Sequence, residues 1–386
     1  MKEKWNELKH YPVLILFFAF IFIFMVVDGL WPKREISDLE RRPLAQFPEF
    51  SWSSLIKNEW TGKYDKYTKD QIVGRDGWLK LHSRSESMLF QKAEIGGALI
   101  GKDNHLFTKM FSLKPTEERQ LKANIKIIQN FSERHADHTA FMFVPSASLI
   151  YDDLLPGRAP MLNENQYMDE IFKSISSDAA IDLRRLFADN KHSAKLYYDT
   201  DHHWTTEGGA YLAYQEFCRH AGLTPKEYKA DDFTSIPDFL GTTYAKCVLW
   251  NQQADTINYL ELPNEMTIWN IDGLGELTAK FDSPLSLYDM EKAQASDKYG
   301  MFLHGNNGYS TIKGNGSGKL LVIKDSYANA FVPFLVDHYE QIGVIDPRGY
   351  KLPIDDLMEQ EGYEDTLLLF NFQSFVSNNN LSFLMG

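Results

Sequence analysis

Cysteine is nearly absent from this chain. Its 386 residues contain two, Cys218 and Cys247, too few for a disulfide framework and without the spacing of a zinc site. The pair either bridges in an oxidising compartment or stays as two buried thiols. No HExxH motif and no internal repeat is present. Net positive charge is missing as well: the formal charge is −13 at pH 7. That excludes a general affinity for nucleic acid or anionic lipid, since both require a basic face that releases counterions, although a local basic groove is compatible with it. Apolar residues are not scarce. A content of 44% hydrophobic and 14% aromatic residues supports a sizeable core and argues against disorder.

Long apolar runs are missing too, with one exception. From Val13 to Val27 the sequence reads VLILFFAFIFIFMVV. With its flanks to Tyr11 and Trp31 it gives about 20 residues, one bilayer crossing, broken only by Asp28. The following MVVDGLW offers no small-residue cleavage site, so the segment reads as an uncleaved signal anchor. Lys2, Lys4 and Lys9 precede it and Lys33, Arg34, Arg41 and Arg42 follow, which leaves the flanking charge undecided. We place the body outside the cytoplasm, because long domains cross largely regardless of such charges. The chain then divides into a cytoplasmic tail (1–10), a transmembrane signal anchor (11–31), an extended tether rich in proline and charge (32–60), and a folded domain (61–386).

The pattern within that domain is α/β. A helix from Thr116 to about His138, with Leu121, Ile125, Ile128 and Phe131 on one face, feeds a buried strand at Thr139–Val144. Further apolar strands are expected at Leu320–Ile323, Ile342–Ile345 and Leu367–Phe370, joined by short helical segments and hence parallel. Residues 225–315, with turn residues and short β-like runs such as MTIWNI, read as an insertion or peripheral subdomain.

In a parallel sheet, ligands collect at the carboxyl ends of the strands. Ser326 of VIKDSYANAF falls there, between a strand and a helix, so its hydroxyl can project while the following amides face the oxygen under attack. The same Asp325 and Ser326 also suit a simple helix cap. A nucleophilic serine needs a base and a group that orients it. In YYDTDHHWTTEGG, Asp201 and His203 leave an extended segment on one side and His202 on the other. Thr205 or Thr206 would cap the helix that follows, which Gly222 closes, and Trp204 would hold the loop. Metal binding and a purely structural histidine pair are the competing readings, but successive residues rarely aim at one small ion. The aromatics Tyr197, Tyr198, Trp204 and Tyr327 suit either sugar stacking or the core. GRDG and DPRG read first as turns, with Arg348 placed at the end of a strand, within reach of the site.

TDHHWTTEGG and VIKDSYANAFVPFLVDHYEQIGVIDPRGY together resemble the DHHW family of bacterial envelope proteins, and are similar to the alginate O-acetyltransferase proteins and, more distantly, to SGNH hydrolases. The resemblance implies an SGNH-hydrolase-like parallel sheet flanked by helices in permuted order, with Asp-x-His ahead of the serine. It assigns Ser326 as nucleophile, His203 as general base and Asp201 as its partner, and it makes Asn306 of HGNNG an oxyanion donor. One departure stands out: Lys324 occupies the place of the glycine in the hydrolases' Gly-Asp-Ser. The implied activity is an extracytoplasmic O-acyltransferase, acetyl most naturally, acting on an envelope or secreted polysaccharide without cofactor or metal. A multipass membrane acyltransferase would supply the acyl group. The same triad would also serve a carbohydrate acetylesterase, and a non-catalytic glycan-binding scaffold is the reading from outside catalysis.

Overall fold

The computed structural model describes residues 11–136, 138–273 and 275–385. They fall into two compact units, one running to Gln91 and taking in Val248–Trp250, the other comprising Lys92–Cys247 and the chain from Asn251.

The first unit opens with α1 (Pro12–Leu30), 19 residues of which none is buried. Proline suits the first turn, where its missing N–H costs nothing. At ~1.5 Å per residue the helix spans about 28 Å, and it has the length and composition of a membrane anchor or of a signal sequence. Residues 32–60 are more ordered than an extended tether. They hold a short strand pair, Ile36–Ser37 with Arg42–Pro43, then α2 (Trp52–Ile56), which leads into α3 (Glu59–Gln71) and α4 (Arg75–Arg84). Ion pairs, which leave no apolar period in a sequence, impose that order. Arg42 grips Asp70 through two hydrogen bonds of 2.9 and 2.6 Å, and Arg34 grips Asp76 at 2.9 and 2.7 Å.

In the second unit α5 (Pro115–Arg134) starts where the Glu117 carboxylate accepts the Lys114 N–H at 2.7 Å, and it buries Leu121, Ile128 and Phe131. Next come β1 (Thr139–Val144), β2 (Ala180–Asp182), α6 (Tyr211–His220), β3 (Glu265–Ile271) and β4 (Leu277–Ala279). The chain continues with β5 (Tyr309–Lys313), β6 (Lys319–Lys324), β7 (Gln341–Ile345) and β8 (Asp365–Asn371). They build one mixed sheet in the order β4-β3-β5-β7-β6-β8-β1-β2, with Leu285–Ser286 beside β3, nine strands among the described residues.

From β7 to β2 every neighbour is parallel, and this half of the sheet is apolar on both faces. Leu320, Val322, Leu367, Leu369 and Met142 enter one core, while Leu321, Ile323, Leu368, Phe370 and Phe141 enter the other, as strand alternation requires. Of residues 225–315, read from the sequence as an insertion or peripheral subdomain, β3, β4 and β5 extend the sheet. Antiparallel pairs set Tyr309 opposite Ile345 and Ile312 opposite Ile342, whereas the ribbon Phe233–Phe239 with Asp255–Leu260 pairs apart from the sheet. Antiparallel neighbours need no crossover helix, so this half lacks the strand–helix alternation that betrays the parallel half. Since β6, β8 and β1 run in one direction, their carboxyl ends share one edge, and Ser326 lies there.

Candidate active site

Ser326 follows β6 by two residues in a turn tied to the neighbouring strand. The Asp325 N–H donates to the Leu369 carbonyl at 3.2 Å. Its carboxylate accepts the Tyr327 N–H at 2.9 Å and the Asn371 N–H at 2.7 Å. Burial pushes this carboxyl up despite those donors. The helical segment that follows, expected from the sequence to run to about Tyr339, is shorter, Ala328–Phe331 and then a tight turn of 3-10 helix at Val332–Leu335, because Pro333 cannot supply an N–H. The expectation that the amides beyond Ser326 face a reacting oxygen fails: those of Tyr327, Ala328 and Asn329 bond to Asp325 and to the Ser326 carbonyl. The Ser326 N–H itself has no acceptor among the described residues.

Asp201 and His203 reach this serine from a curled loop. Tyr197 bridges to Trp204 and the Tyr198 N–H donates to the His203 carbonyl at 3.2 Å, so residues 198–203 fold back on themselves. Asp201 Oδ1 accepts the His203 N–H at 2.9 Å and faces His203 Nδ1 at 2.5 Å. His203 Nε2 lies 2.7 Å from Ser326 Oγ. The pairing is that of an Asx turn, in which aspartate bonds to the backbone two residues on, and it corrects the extended geometry read from the sequence. His202 does not point away either: its ring lies 3.9 Å from that of His203, and its Nδ1 faces Thr242 Oγ1 at 2.6 Å.

The surroundings stiffen this relay. Burial alone would raise the Asp201 carboxyl, but His203, His202 and the Thr242 N–H outweigh it and hold the group well below the usual carboxylate range. Asp201 Oδ2 takes the Thr242 N–H at 2.6 Å and its hydroxyl at 2.9 Å. Gly241 is required beside it, since a Cβ there would meet the Asp201 Cβ at 2.2 Å. Tyr299 stacks on the His203 ring at 3.8 Å and 12°, and its hydroxyl donates to the Ser326 carbonyl at 3.2 Å. Burial drives the Tyr299 phenol well above its ordinary range, so it stays a neutral donor. None of Gly241, Thr242 and Tyr299 stands out in the sequence, because each meets the relay only through the fold.

The remaining candidates take other places. Trp204 and Tyr327 are 0% and 2% exposed, which removes the sugar-stacking reading. Instead the Trp204 indole N–H donates to the Tyr327 carbonyl at 2.8 Å, and the Tyr327 hydroxyl donates to the His202 carbonyl. Tyr197 and Tyr198 are likewise core, at 0%. Thr205 makes no cap and bonds to the Lys195 carbonyl. Gly208 and Gly209 let the helix start approach residues 195 and 196, where a Cβ would meet carbonyl oxygens at 2.1 and 2.6 Å. Asn306 is one step from the serine. Its Oδ1 accepts from Lys324 Nζ at 2.8 Å and from Asn329 Nδ2 at 3.2 Å, which orients its own NH2 away from those donors, and the Asn329 N–H bonds to the Ser326 carbonyl at 3.2 Å. Arg348 stays outside the relay: it pairs with Asp346 at 2.8 and 2.5 Å, and Asp346 in turn lies 3.5 Å from the buried Lys324 ammonium.

One ligand atom each from Asp201, His202 and His203 lies within 4.8 Å of the others. These atoms are turned toward Thr242, toward Ser326 and toward each other, so a cation would have to replace those bonds. Cys218 and Cys247 are both buried thiols.

Comparison with known proteins follows the same lines. Residues 180–345 match the family described as DHHW protein. Residues 98–236 match the SGNH hydrolase-like domain of the acetyltransferase AlgX, which relates the chain to acyltransferase-type enzymes. Among solved structures, a DHHW family protein from Eubacterium siraeum is 24% identical with a TM-score of 0.63, covering 75% of this chain and 95% of its own. PatB1 of Bacillus cereus, solved with a sulfonyl adduct, is 21% identical with a TM-score of 0.56, covering 74% and 97%. Both share the fold seen here. No curated protein matches the chain.

Proposed function

We propose that the protein is a serine-dependent O-acyltransferase, acetyl being the group transferred, that acts outside the cytoplasm on an envelope or secreted polysaccharide. The observation that carries this reading is the continuous relay from Asp201 through His203 to Ser326, with heavy-atom separations of 2.5 and 2.7 Å. It is within the range of a working nucleophile and base. His203 Nε2 takes the hydroxyl proton as Ser326 Oγ attacks the donor carbonyl, while Asp201 holds the ring and balances its charge. The Ser326 N–H and the NH2 of Asn306 are the donors proposed for the tetrahedral oxyanion. Collapse expels the donor's leaving group, which takes the proton from His203. A sugar hydroxyl then gives its proton to His203 and attacks the acyl-serine, and the serine oxygen recovers that proton.

The AlgX match supports the acyltransferase chemistry, and the sulfonyl adduct of PatB1 suggests the reagent for testing it, since sulfonyl halides capture activated nucleophiles. We place the domain outside the cytoplasm behind α1, and propose a multipass membrane acyltransferase as source of the acyl group. The test incubates the full-length protein with an acetyl ester, with and without acceptor oligosaccharides. An acetyl adduct on Ser326 that is discharged by the sugar, and that a sulfonyl fluoride blocks, is the expected outcome. Release of free acetate alone would make the protein an esterase. Turnover unchanged in Ser326→Ala would remove the catalytic claim and leave the scaffold.

A further inference from the structure

We propose that the first unit is a membrane-interface platform, seated in the phospholipid headgroup layer beside the end of α1. It builds on the anchor reading above and adds a second, peripheral contact with the bilayer. The helix does not run out into a free linker. Asp28, the one charge in the apolar run, accepts the Val73 N–H at 2.7 Å. Lys33 Nζ donates to the Asp28 carbonyl at 2.9 Å and to the Gln71 carbonyl at 3.4 Å, and Arg34 closes on Asp76. The foot of α1 is thereby built into α3 and α4, which must lie wherever that foot leaves the lipid.

From the same foot an aromatic ladder runs outward. Lys33 Nζ sits 5.9 Å from the Tyr67 ring centre. Tyr67 lies 5.3 Å from Phe47 and Phe47 6.1 Å from Tyr64. Tyr64 lies 4.9 Å from Trp60, Trp60 5.6 Å from Phe50, and Phe50 5.2 Å from Trp52. Much of the ladder is open to solvent: Trp52 is 72% exposed, Phe47 62% and Phe50 52%, with Ile56 at 83%. Apolar surface of this continuity calls for a cover, and aromatic rings next to a span are at home at headgroup level. Polysaccharide fits less well. A sugar stacks on an open ring face, whereas Phe47 meets Tyr64 and Tyr67 edge-on at 87° and 84°, and Trp60 and Tyr64 cover each other at 12°.

Charge points the same way. Residues 31–91 hold eleven Lys and Arg against nine Asp and Glu, a positive balance in a chain of −13. A cleft in this unit gathers Arg42, Lys66, Lys69, Arg75 and His82 around one acid, Asp70. Arg75 is 6% exposed and its Nη2 pairs with Glu40 and Asp70, but its Nη1 has no hydrogen-bond partner among the described residues. A lipid phosphate is the kind of acceptor that the cations of this cleft would take.

The experiment places nitroxides, one at a time, on Trp52→Cys and Ile56→Cys in the full-length protein, held in nanodiscs of phosphatidylcholine and phosphatidylglycerol. Phe18→Cys in α1 and Asp231→Cys in the second unit serve as references, and the native thiols are buried. At 52 and 56, collisions with oxygen should exceed those with a water-soluble nickel chelate, giving a ratio several-fold above that at 231. A ratio equal to that at 231, with 18 immersed, overturns the platform and leaves the anchor standing. Shielding of 52 and 56 from both reagents also overturns it, in favour of a protein or glycan cover. Water-level access at 18 would show that the anchor reading itself had failed.

Discussion

Asp201 is the residue whose replacement separates shape from charge. Asp201→Asn keeps the outline of the carboxylate, but its amide can present an N–H toward His203 and favour the wrong tautomer. Acyl-transfer rate should drop by about 10³- to 10⁴-fold with KM little changed. Initial rates on an acetyl ester measure it, and a loss below tenfold would take Asp201 out of the relay. Thr242→Val is the milder companion. It removes one hydroxyl donor from Asp201 Oδ2 while the Thr242 N–H bond remains. Hydrogen bonds to charged groups contribute ~1.5 kcal/mol or more, so kcat should fall about tenfold. An unchanged kcat would mean that Asp201 is held well enough without this hydroxyl.

Among the elements, the loop Asp201–Trp204 and the turn Gly241–Thr242 are pressed so closely that one added methyl tests the packing. Gly241→Ala sets a Cβ against the Asp201 Cβ at 2.2 Å, and the nearest remedy is a shift of the acid away from His203. Activity should fall by two orders of magnitude or more, on the scale at which small misplacements act. Gly222→Ala, at φ +67° with nothing within 4 Å, should lower Tm slightly and leave activity alone. Equal activity in the two variants would count against a tight packing requirement at Gly241.

This contact also shows where sequence reading stops. β1, β6, β7 and β8 were legible because strands buried on both faces leave unbroken apolar runs, and the Asp-x-His pair because both residues sit within one short loop. Gly241 and Thr242 lie about forty positions away from Asp201 in chain order, and nothing local distinguishes them from an ordinary turn. Of the antiparallel strands, β3 shows in the sequence as the β-like run MTIWNI, whereas β4 and β5 hid for a related reason, having no long helix between them to set a period. Trp204 and Tyr327 read equally well as core or as sugar platforms, and burial decided for the core.

At the scale of the molecule, acidity tests the second unit through Glu164. This carboxyl is 5% exposed and accepts the Ser146 N–H at 2.7 Å, and burial raises it from 4.5 to about 7. The folded form thus binds the proton more tightly than the unfolded form. The resulting stability is complete below pH 4.5 and is lost as pH climbs through about 7, a change of roughly 3 kcal/mol. Glu164→Gln should therefore flatten the decline of Tm between about pH 5 and pH 8. Parallel Tm profiles for the two proteins would refute the assignment. β6 carries one more consequence. It lies between β7 and β8, and both are synthesised after it, so a nascent chain leaving the ribosome already holds Asp201, His203 and Ser326 while the serine strand still lacks both flanks. The strand that carries Ser326 is therefore enclosed on both sides only once β8, the last of these strands in chain order, has been made.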